Sequence, residues 1–130
     1  MVPLRILIAD DHALVRLGLR ILLERHQDWM VCGEAGDGAE AVEQAISLKP
    51  DLILLDISMP KLDGLTAVPL IREKVPNAAI IILTLYESIE MARIAAYAGA
   101  AAYITKSLLT KDLVPAIEKL QAEKSLSCAN

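Results

Sequence analysis

Residues 52–64 read LILLDISMPKLDG. Four aliphatic side chains run straight into Asp56, and a loop carrying Pro60 and the Asp63-Gly64 pair follows. An unpaired buried charge is costly, so a carboxylate at the end of an apolar run calls for a reason. A strand buried on both faces supplies the first half of one. Such strands are near-continuous aliphatic runs, and their ends reach the edge of the sheet.

Four further runs of strand length flank this one: RILIA (5–9), MVCGEA (30–35), AIIIL (79–83) and AAYIT (101–105). The segments between them have helical period. Val15, Gly18, Leu19, Leu22 and Leu23 fall at i, i+3, i+4, i+7 and i+8, one face of a helix over 12–25. Asp37-Gly38-Ala39-Glu40 reads as a capping box opening a second helix, with Val42, Ala45 and Ile46 inward, that stops before Pro50. Asp63 caps a third helix running to about Lys74. Ser88 opens a fourth, closed by Gly99, and Thr110 caps a fifth with Leu113, Val114, Ile117 and Leu120 apolar. Pro69 and Pro115 fall inside the third and fifth helices, where each removes a donor and predicts a kink or a displaced start.

The order is strand then helix, five times over. Helix-length crossovers imply parallel strands with helices on both faces. The expected fold is an α/β doubly wound five-stranded parallel sheet, order 2-1-3-4-5, with five helices. Ligands of such sheets bind beyond the carboxyl ends of the strands, at the switch point between strands 1 and 3.

Composition agrees. The 130 residues suffice for one domain, 55% are hydrophobic, and with no Phe, one Trp and three Tyr the core must be aliphatic. A net charge of -4 implies no basic surface for nucleic acid. Cys32 and Cys128 lack paired spacing and read as free thiols, Cys32 as a core filler. No apolar run approaches the roughly 18 residues that span a membrane, and the start MVPLRILIADD has no signal-peptide pattern. A cytoplasmic protein without membrane contact is expected.

The predicted carboxyl edge collects Asp10 and Asp11 after strand 1, Asp56 after strand 3, Thr84 after strand 4 and Lys106 after strand 5. Each has an ordinary explanation alone. An acidic pair after a strand is commonly a helix N-cap, a lysine there is commonly solvated, and a threonine is commonly structural. His12 reads as an exposed helix-start residue. Together they describe a chemistry. Three crowded carboxylates should raise some pKa values unless a cation is present. Carboxylates with a backbone carbonyl and water suit Mg²⁺. A carboxylate can attack phosphorus to form an aspartyl phosphate, a reaction that needs positioning and charge neutralisation. Lysine, hydroxyl and metal provide these, and backbone N–H groups of 57–59 can receive phosphoryl oxygens.

The phrases ILIADDHALVRLGLR, KPDLILLDISMPKLDG, IIILT and AYITK resemble the receiver domains of two-component response regulators, over residues 4 to about 122. DDH..VR.GL and GEAGDG.EA resemble the subfamily with a C-terminal LuxR-type helix-turn-helix. The resemblance implies a flavodoxin-like receiver domain over 1–124, with 125–130 (SLSCAN) the start of a linker or tail. It implies a signalling domain rather than an enzyme, catalysing only its own phosphorylation and dephosphorylation. Asp56 would take a phosphoryl group from a sensor histidine kinase. Asp11 and Asp56 would bind Mg²⁺, or Mn²⁺, with the Ser58 backbone carbonyl, and Asp10 would act mainly through a metal-bound water. Thr84 and Lys106 would hold phosphoryl oxygens. Tyr103 matches the switch aromatic, coupling Thr84 to the face of helix 4, strand 5 and helix 5. Homodimerisation on phosphorylation is implied, and control of transcription through a DNA-binding domain absent from this chain. The subfamily pattern favours a receiver excised from a longer regulator over a stand-alone one.

Three features depart from the commonest receiver pattern or add to it. Ser107 follows Lys106 where many receivers have proline, so a trans bond is expected. Leu85 is large beside Thr84 and narrows access for small phosphoryl donors. Leu14, Leu17 and Ile21 form a second apolar stripe on helix 1, read either as flank packing or as a contact surface.

Other readings fare less well. A phosphatase or phosphotransferase resembling the haloacid dehalogenases would need a second acid two residues after the nucleophile, where Ser58 stands. A flavin-binding module would need a Ser/Thr/Gly-rich loop after strand 1, where Asp10-Asp11 would repel the phosphate. A degenerate receiver used only for protein interaction conflicts with the complete set Asp10, Asp11, Asp56, Thr84 and Lys106.

Overall fold

A computed structural model of the chain describes residues 3–59, 61–85 and 88–123. Pro60, in the loop after Asp56, and the expected tail 125–130 with Cys128 lie outside the described residues. The elements alternate as the sequence predicts: β1 (Leu4–Ala9), α1 (Ala13–Glu24), β2 (Trp29–Ala35), α2 (Gly38–Leu48), β3 (Leu52–Asp56), α3 (Gly64–Lys74), β4 (Ala79–Thr84), α4 (Ile89–Ala98), β5 (Ala102–Thr105) and α5 (Leu109–Ala122). All four strand pairings are parallel, and the sheet order is β2-β1-β3-β4-β5. This is the flavodoxin-like order expected from the sequence.

Alternation along each strand feeds two cores. Ile6, Ile8, Leu52, Leu54, Ile81, Leu83 and Ile104 pack with Leu19 and Leu23 of α1 and Leu113, Ile117 and Leu120 of α5. Leu7, Ile53, Leu55, Ile80 and Ile82 point the other way, onto Ala41 and Ala45 of α2, Ala67, Val68 and Ile71 of α3 and Ala95 of α4. Alanine at the contact positions of α2, α3 and α4 lets those helices lie close to the sheet. Each fully buried Leu or Ile contributes on the order of 1.5–3 kcal/mol, so the LILL run clamps β3 from both sides.

Helix starts follow side-chain chemistry. Asp37 accepts from Glu40 N–H at 2.8 Å, Asp63 from Thr66 N–H at 2.8 Å, and Ser88 from Met91 N–H at 3.2 Å. The capping box at α2 closes one residue further out than expected, Glu40 reaching the Gly36 N–H at 2.9 Å. α4 ends on Gly99 at φ 121°, a left-handed conformation that suits glycine.

Some expectations are corrected. Thr110 does not cap α5: a 3-10 turn over Lys106–Leu108 precedes the helix, the N-cap position is Leu108, and Thr110 lies in the first turn. Neither proline displaces a helix start: α5 begins at Leu109 and continues through Pro115, as α3 begins at Gly64 and continues through Pro69. On α2 the buried residues are Gly38, Ala41 and Ala45, while Ile46 is exposed. Cys32 is half-buried rather than a core residue. It occupies the register shift where Ile6 pairs with Val31 and Leu7 with Gly33, so it falls out of the in–out alternation. Leu14, Leu17 and Ile21 are exposed at 82%, 52% and 53%, so flank packing does not account for that stripe. The Lys106–Ser107 bond is trans, as expected. No helix among the described residues is long and apolar enough to cross a membrane.

Candidate functional site

Parallel pairing brings the carboxyl ends of β1, β3, β4 and β5 to one edge, and with them the residues picked out in the sequence. Asp10 follows β1, with its N–H bonded to Ala35 O at 3.0 Å. Asp56 is the last residue of β3 and Thr84 the last of β4, and Lys106 follows β5 directly. Asp10, Asp56 and Thr84 are the buried polar residues of the described chain. Asp11 is exposed.

Lys106 ties the acids together. Its Nζ lies 2.7 Å from Asp10 Oδ2 and 3.3 Å from Asp56 Oδ2, with the lysine side chain only 10% exposed. The contact to Asp10 is the shorter of the two ion pairs. Burial lowers the lysine's affinity for its proton, but the two carboxylates outweigh it and hold the ammonium above the usual lysine range. Asp56 is pushed the opposite way from an ordinary ion pair. Burial raises its carboxyl above the usual range; the Ser58 N–H at 3.2 Å opposes this, Asp10 adds repulsion, and Lys106 offsets only part. The rise expected from crowding is present, with burial as its chief cause.

The far side of the cluster holds His12, the exposed helix-start residue expected from the sequence. His12 is the N-cap of α1, yet its side chain does not cap the helix. Its Nδ1 lies 3.0 Å from Asp11 Oδ1 and 3.3 Å from Asp10 Oδ1, and its backbone N–H donates to Asp10 Oδ1 at 2.8 Å. Ligand atoms of Asp10, Asp11, His12 and Asp56 all lie within 4.8 Å of one another. The chemistry of this donor set, rich in carboxylate oxygen, fits a hard divalent cation.

Two supports were not legible in the sequence. Arg16 donates to the Asp10 carbonyl at 2.6 Å and to Glu34 Oε1 at 3.0 Å, while Arg20 holds Glu34 Oε2 at 2.6 Å. The spacing of Arg16 and Arg20 puts them on one helix face, but nothing local names their partner. Gly64 N–H bonds to Ile57 O at 3.0 Å, and a Cβ at Gly64 would sit 2.3 Å from the Asp56 carbonyl oxygen. Only glycine lets α3 start this close to the strand that carries Asp56.

Leu85 is 63% exposed and lines, with Val15, Leu19, Leu22 and Lys106, an apolar groove of about 430 Å³. Tyr103 is half-buried and packs against the core on the α2–α3–α4 side of the sheet. It borders a hollow of about 100 Å³ between α4 and β5, lined otherwise by alanines.

Residues 6–118 match the family described as response regulator receiver domain. The chain is 45% identical over 117 residues to the transcriptional regulatory protein PdtaR of Mycobacterium tuberculosis, covering 90% of this chain and 56% of that protein. It thus spans about half the length of the curated relatives it matches. Among solved structures it is similar to a LuxR-family two-component response regulator from Aurantimonas, with TM-score 0.88, 37% identity, and 93% of this chain and 86% of that one covered. It is also similar to a chain of the CheX-CheY-BeF3-Mg complex of Borrelia burgdorferi, with TM-score 0.87, 26% identity, and 92% and 90% covered.

Proposed function

This chain belongs to the response regulator receiver family, a family of signalling domains, and on that footing we propose that Asp56 is its phosphoacceptor. The observation that carries the reading is the buried Asp56 carboxylate, with the Lys106 ammonium 3.3 Å from one oxygen and the Ser58 N–H 3.2 Å from the other. A receiver domain implies a kinase partner. In the proposed reaction an Asp56 oxygen forms a bond to phosphorus as the phosphorus–nitrogen bond of a phosphohistidine breaks, and the histidine leaves. The domain thereby catalyses its own phosphorylation, and hydrolysis of the acyl phosphate returns it to rest.

The chain's residues would divide the work by charge. Asp10, Asp11 and Asp56, with the Ser58 carbonyl, would hold Mg²⁺ or Mn²⁺. Such an ion supplies charge neutralisation for the incoming phosphoryl group. The Borrelia relative carries Mg and BeF3 in its complex, which supports this assignment. Lys106 would exchange its contact with Asp56 for a phosphoryl oxygen, and the Thr84 hydroxyl would donate to another. Phosphorylation adds about −1.5 to −2 charges and three strong acceptors. Movement of Thr84 and Lys106 toward them would shift the ends of β4 and β5. Tyr103, beside its alanine-lined hollow, would turn inward and carry the change to the α4–β5–α5 face.

The output is proposed to be homodimerisation and control of transcription through a DNA-binding domain of the full-length protein, in the cytoplasm. The relatives named as transcriptional regulators support this. The receiver unit would run over 1–124, with 125–130 beginning a linker. Incubation with ³²P-labelled acetyl phosphate and Mg²⁺ tests the acceptor. The reading expects acid-stable, base-labile label on the wild type and none on Asp56→Asn; equal labelling of both would refute it.

A further inference from the structure

We propose that Arg16 is a positioning residue of the phosphoacceptor site, fixing the Asp10–Asp11 peptide so that Asp11 is presented to the divalent cation. The proposal rests on reading Asp10, Asp11 and Asp56 as a metal site, and the contacts that carry it lie outside that acidic cluster. Arg16 stands in the phrase DDHALVRLGL and Glu34 in the phrase GEAGDGAEA. Neither phrase alone names the other, but in the fold they form one network. Arg16 Nε donates to Glu34 Oε1 at 3.0 Å, and Arg16 Nη1 donates to the Asp10 carbonyl at 2.6 Å. Arg20 holds the other Glu34 oxygen at 2.6 Å, and the Glu34 carbonyl accepts from the Gln44 amide at 2.7 Å. The two phrases meet on the peptide that joins Asp10 to Asp11.

The direction of the contact follows from the helix. Long side chains on a helix point back toward its N-terminus. Arg16, whose N–H bonds to His12 O at 3.1 Å, therefore reaches over the turn that precedes α1. Its rigid fork can hold two acceptors at once, which a point charge on a flexible stem does poorly. Asp10 is already tied down on its upstream side. Its N–H bonds to Ala35 O at 3.0 Å and its carboxylate pairs with Lys106 at 2.7 Å. The carbonyl sets the direction in which the chain leaves for Asp11, which is exposed. Charge alone makes the opposite prediction, because a cation near a metal site repels the metal. What Arg16 contributes is geometry, and Glu34 offsets its charge.

The test is a Mg²⁺ titration of the ¹⁵N-labelled full chain by NMR, read at the amides of residues 10–12 and 56–58, for wild type, Arg16→Met and Arg20→Met. Initial rates of acetyl phosphate labelling are measured over the same Mg²⁺ range. Arg16→Met should bind Mg²⁺ about tenfold more weakly, as loss of a group that orients a ligand brings. Its labelling rate at saturating Mg²⁺ should stay within about threefold of wild type. Arg20→Met leaves the Asp10 contact in place and should lose less affinity than Arg16→Met. A variant that is merely less stable but still mostly folded shifts half-saturation by less than about twofold, because apparent affinity falls only by the folded fraction. Where wild type binds Mg²⁺ and is labelled on Asp56, unchanged or tighter Mg²⁺ binding by Arg16→Met overturns the positioning role and leaves the acceptor reading standing. An equal loss in Arg20→Met, or a slower rate at saturating Mg²⁺ with half-saturation unmoved, overturns it as well. If Arg16→Met lacks a native spectrum, Glu34→Gln takes its place, since it frees one side of the guanidinium. Mg²⁺ binding weaker by about threefold or more is then expected, and unchanged binding overturns the role. If wild type shows neither a Mg²⁺ response nor label on Asp56, the metal-site reading falls and the role of Arg16 with it.

Discussion

The Lys106 ammonium stands 3.3 Å from Asp56 Oδ2, yet the Asp56 carboxyl remains above the usual carboxylate range because burial outweighs the pairing. Its pKa is therefore higher folded than unfolded. Between those two values the folded state holds the extra proton, so stability falls as pH rises through the folded pKa. Asp56→Asn removes that penalty. Thermal melts without metal should show Asp56→Asn a few degrees more stable than wild type at pH 7, the gap closing at acid pH. A variant less stable at neutral pH would contradict the burial argument.

Lys106→Met should act in the opposite direction. It leaves Asp10 and Asp56 buried without a cation, and breaking a buried pair in this way costs about 3–5 kcal/mol. Adding Asp56→Asn should recover a large part of the loss, because the two residues share one interaction. Urea denaturation of the four proteins measures the coupling; strict additivity would mean that the pair is not energetically linked.

Gly64→Ala should destabilise the domain by about 2 kcal/mol or more, since the added methyl meets the Asp56 carbonyl at 2.3 Å and backbone must shift. Chemical shifts of Asp56 and Ile57 should move with it. Unchanged stability would show that α3 can retreat from β3 at no cost.

Glu34 reports on the support behind Asp10. The Arg20 hydrogen bond depresses its carboxyl most; burial opposes, and Arg16 adds to the depression. Its folded pKa lies below the unfolded one, so its stabilisation is present above the unfolded value and is lost as pH falls through the folded one. Glu34→Gln should cost about 1 kcal/mol at pH 7, with the difference from wild type vanishing in acid. A constant difference across pH would assign the loss to packing instead.

What the sequence could show here was what repeats locally. Aliphatic runs and helical spacing located the strands and α-helices of the described residues, and the parallel order then placed Asp10, Asp56, Thr84 and Lys106 at one edge without any contact being known. What it hid depends on approach between distant segments. Gly64 read as a helix start because its closeness to the Asp56 carbonyl exists only once α3 folds back. Arg16 and Arg20 were visible as a helix pair, but Glu34 lies on β2. His12 stood beside two aspartates in plain view, but the approach of its ring to Asp10 and Asp11 appears only in the folded turn. The start of α5 was misplaced at Thr110 because the 3-10 turn that places Lys106 has no side-chain cap to betray it.

The central claim is that Asp56 accepts phosphoryl in a metal-dependent reaction. Intact mass followed by peptide mapping after acetyl phosphate treatment, with Mg²⁺ and with EDTA, tests it most directly. The account predicts a single added phosphoryl group, mapped to Asp56, that appears with Mg²⁺ and not with EDTA. A modified wild-type protein carrying the group on any other residue, or no modification with Mg²⁺, would contradict it.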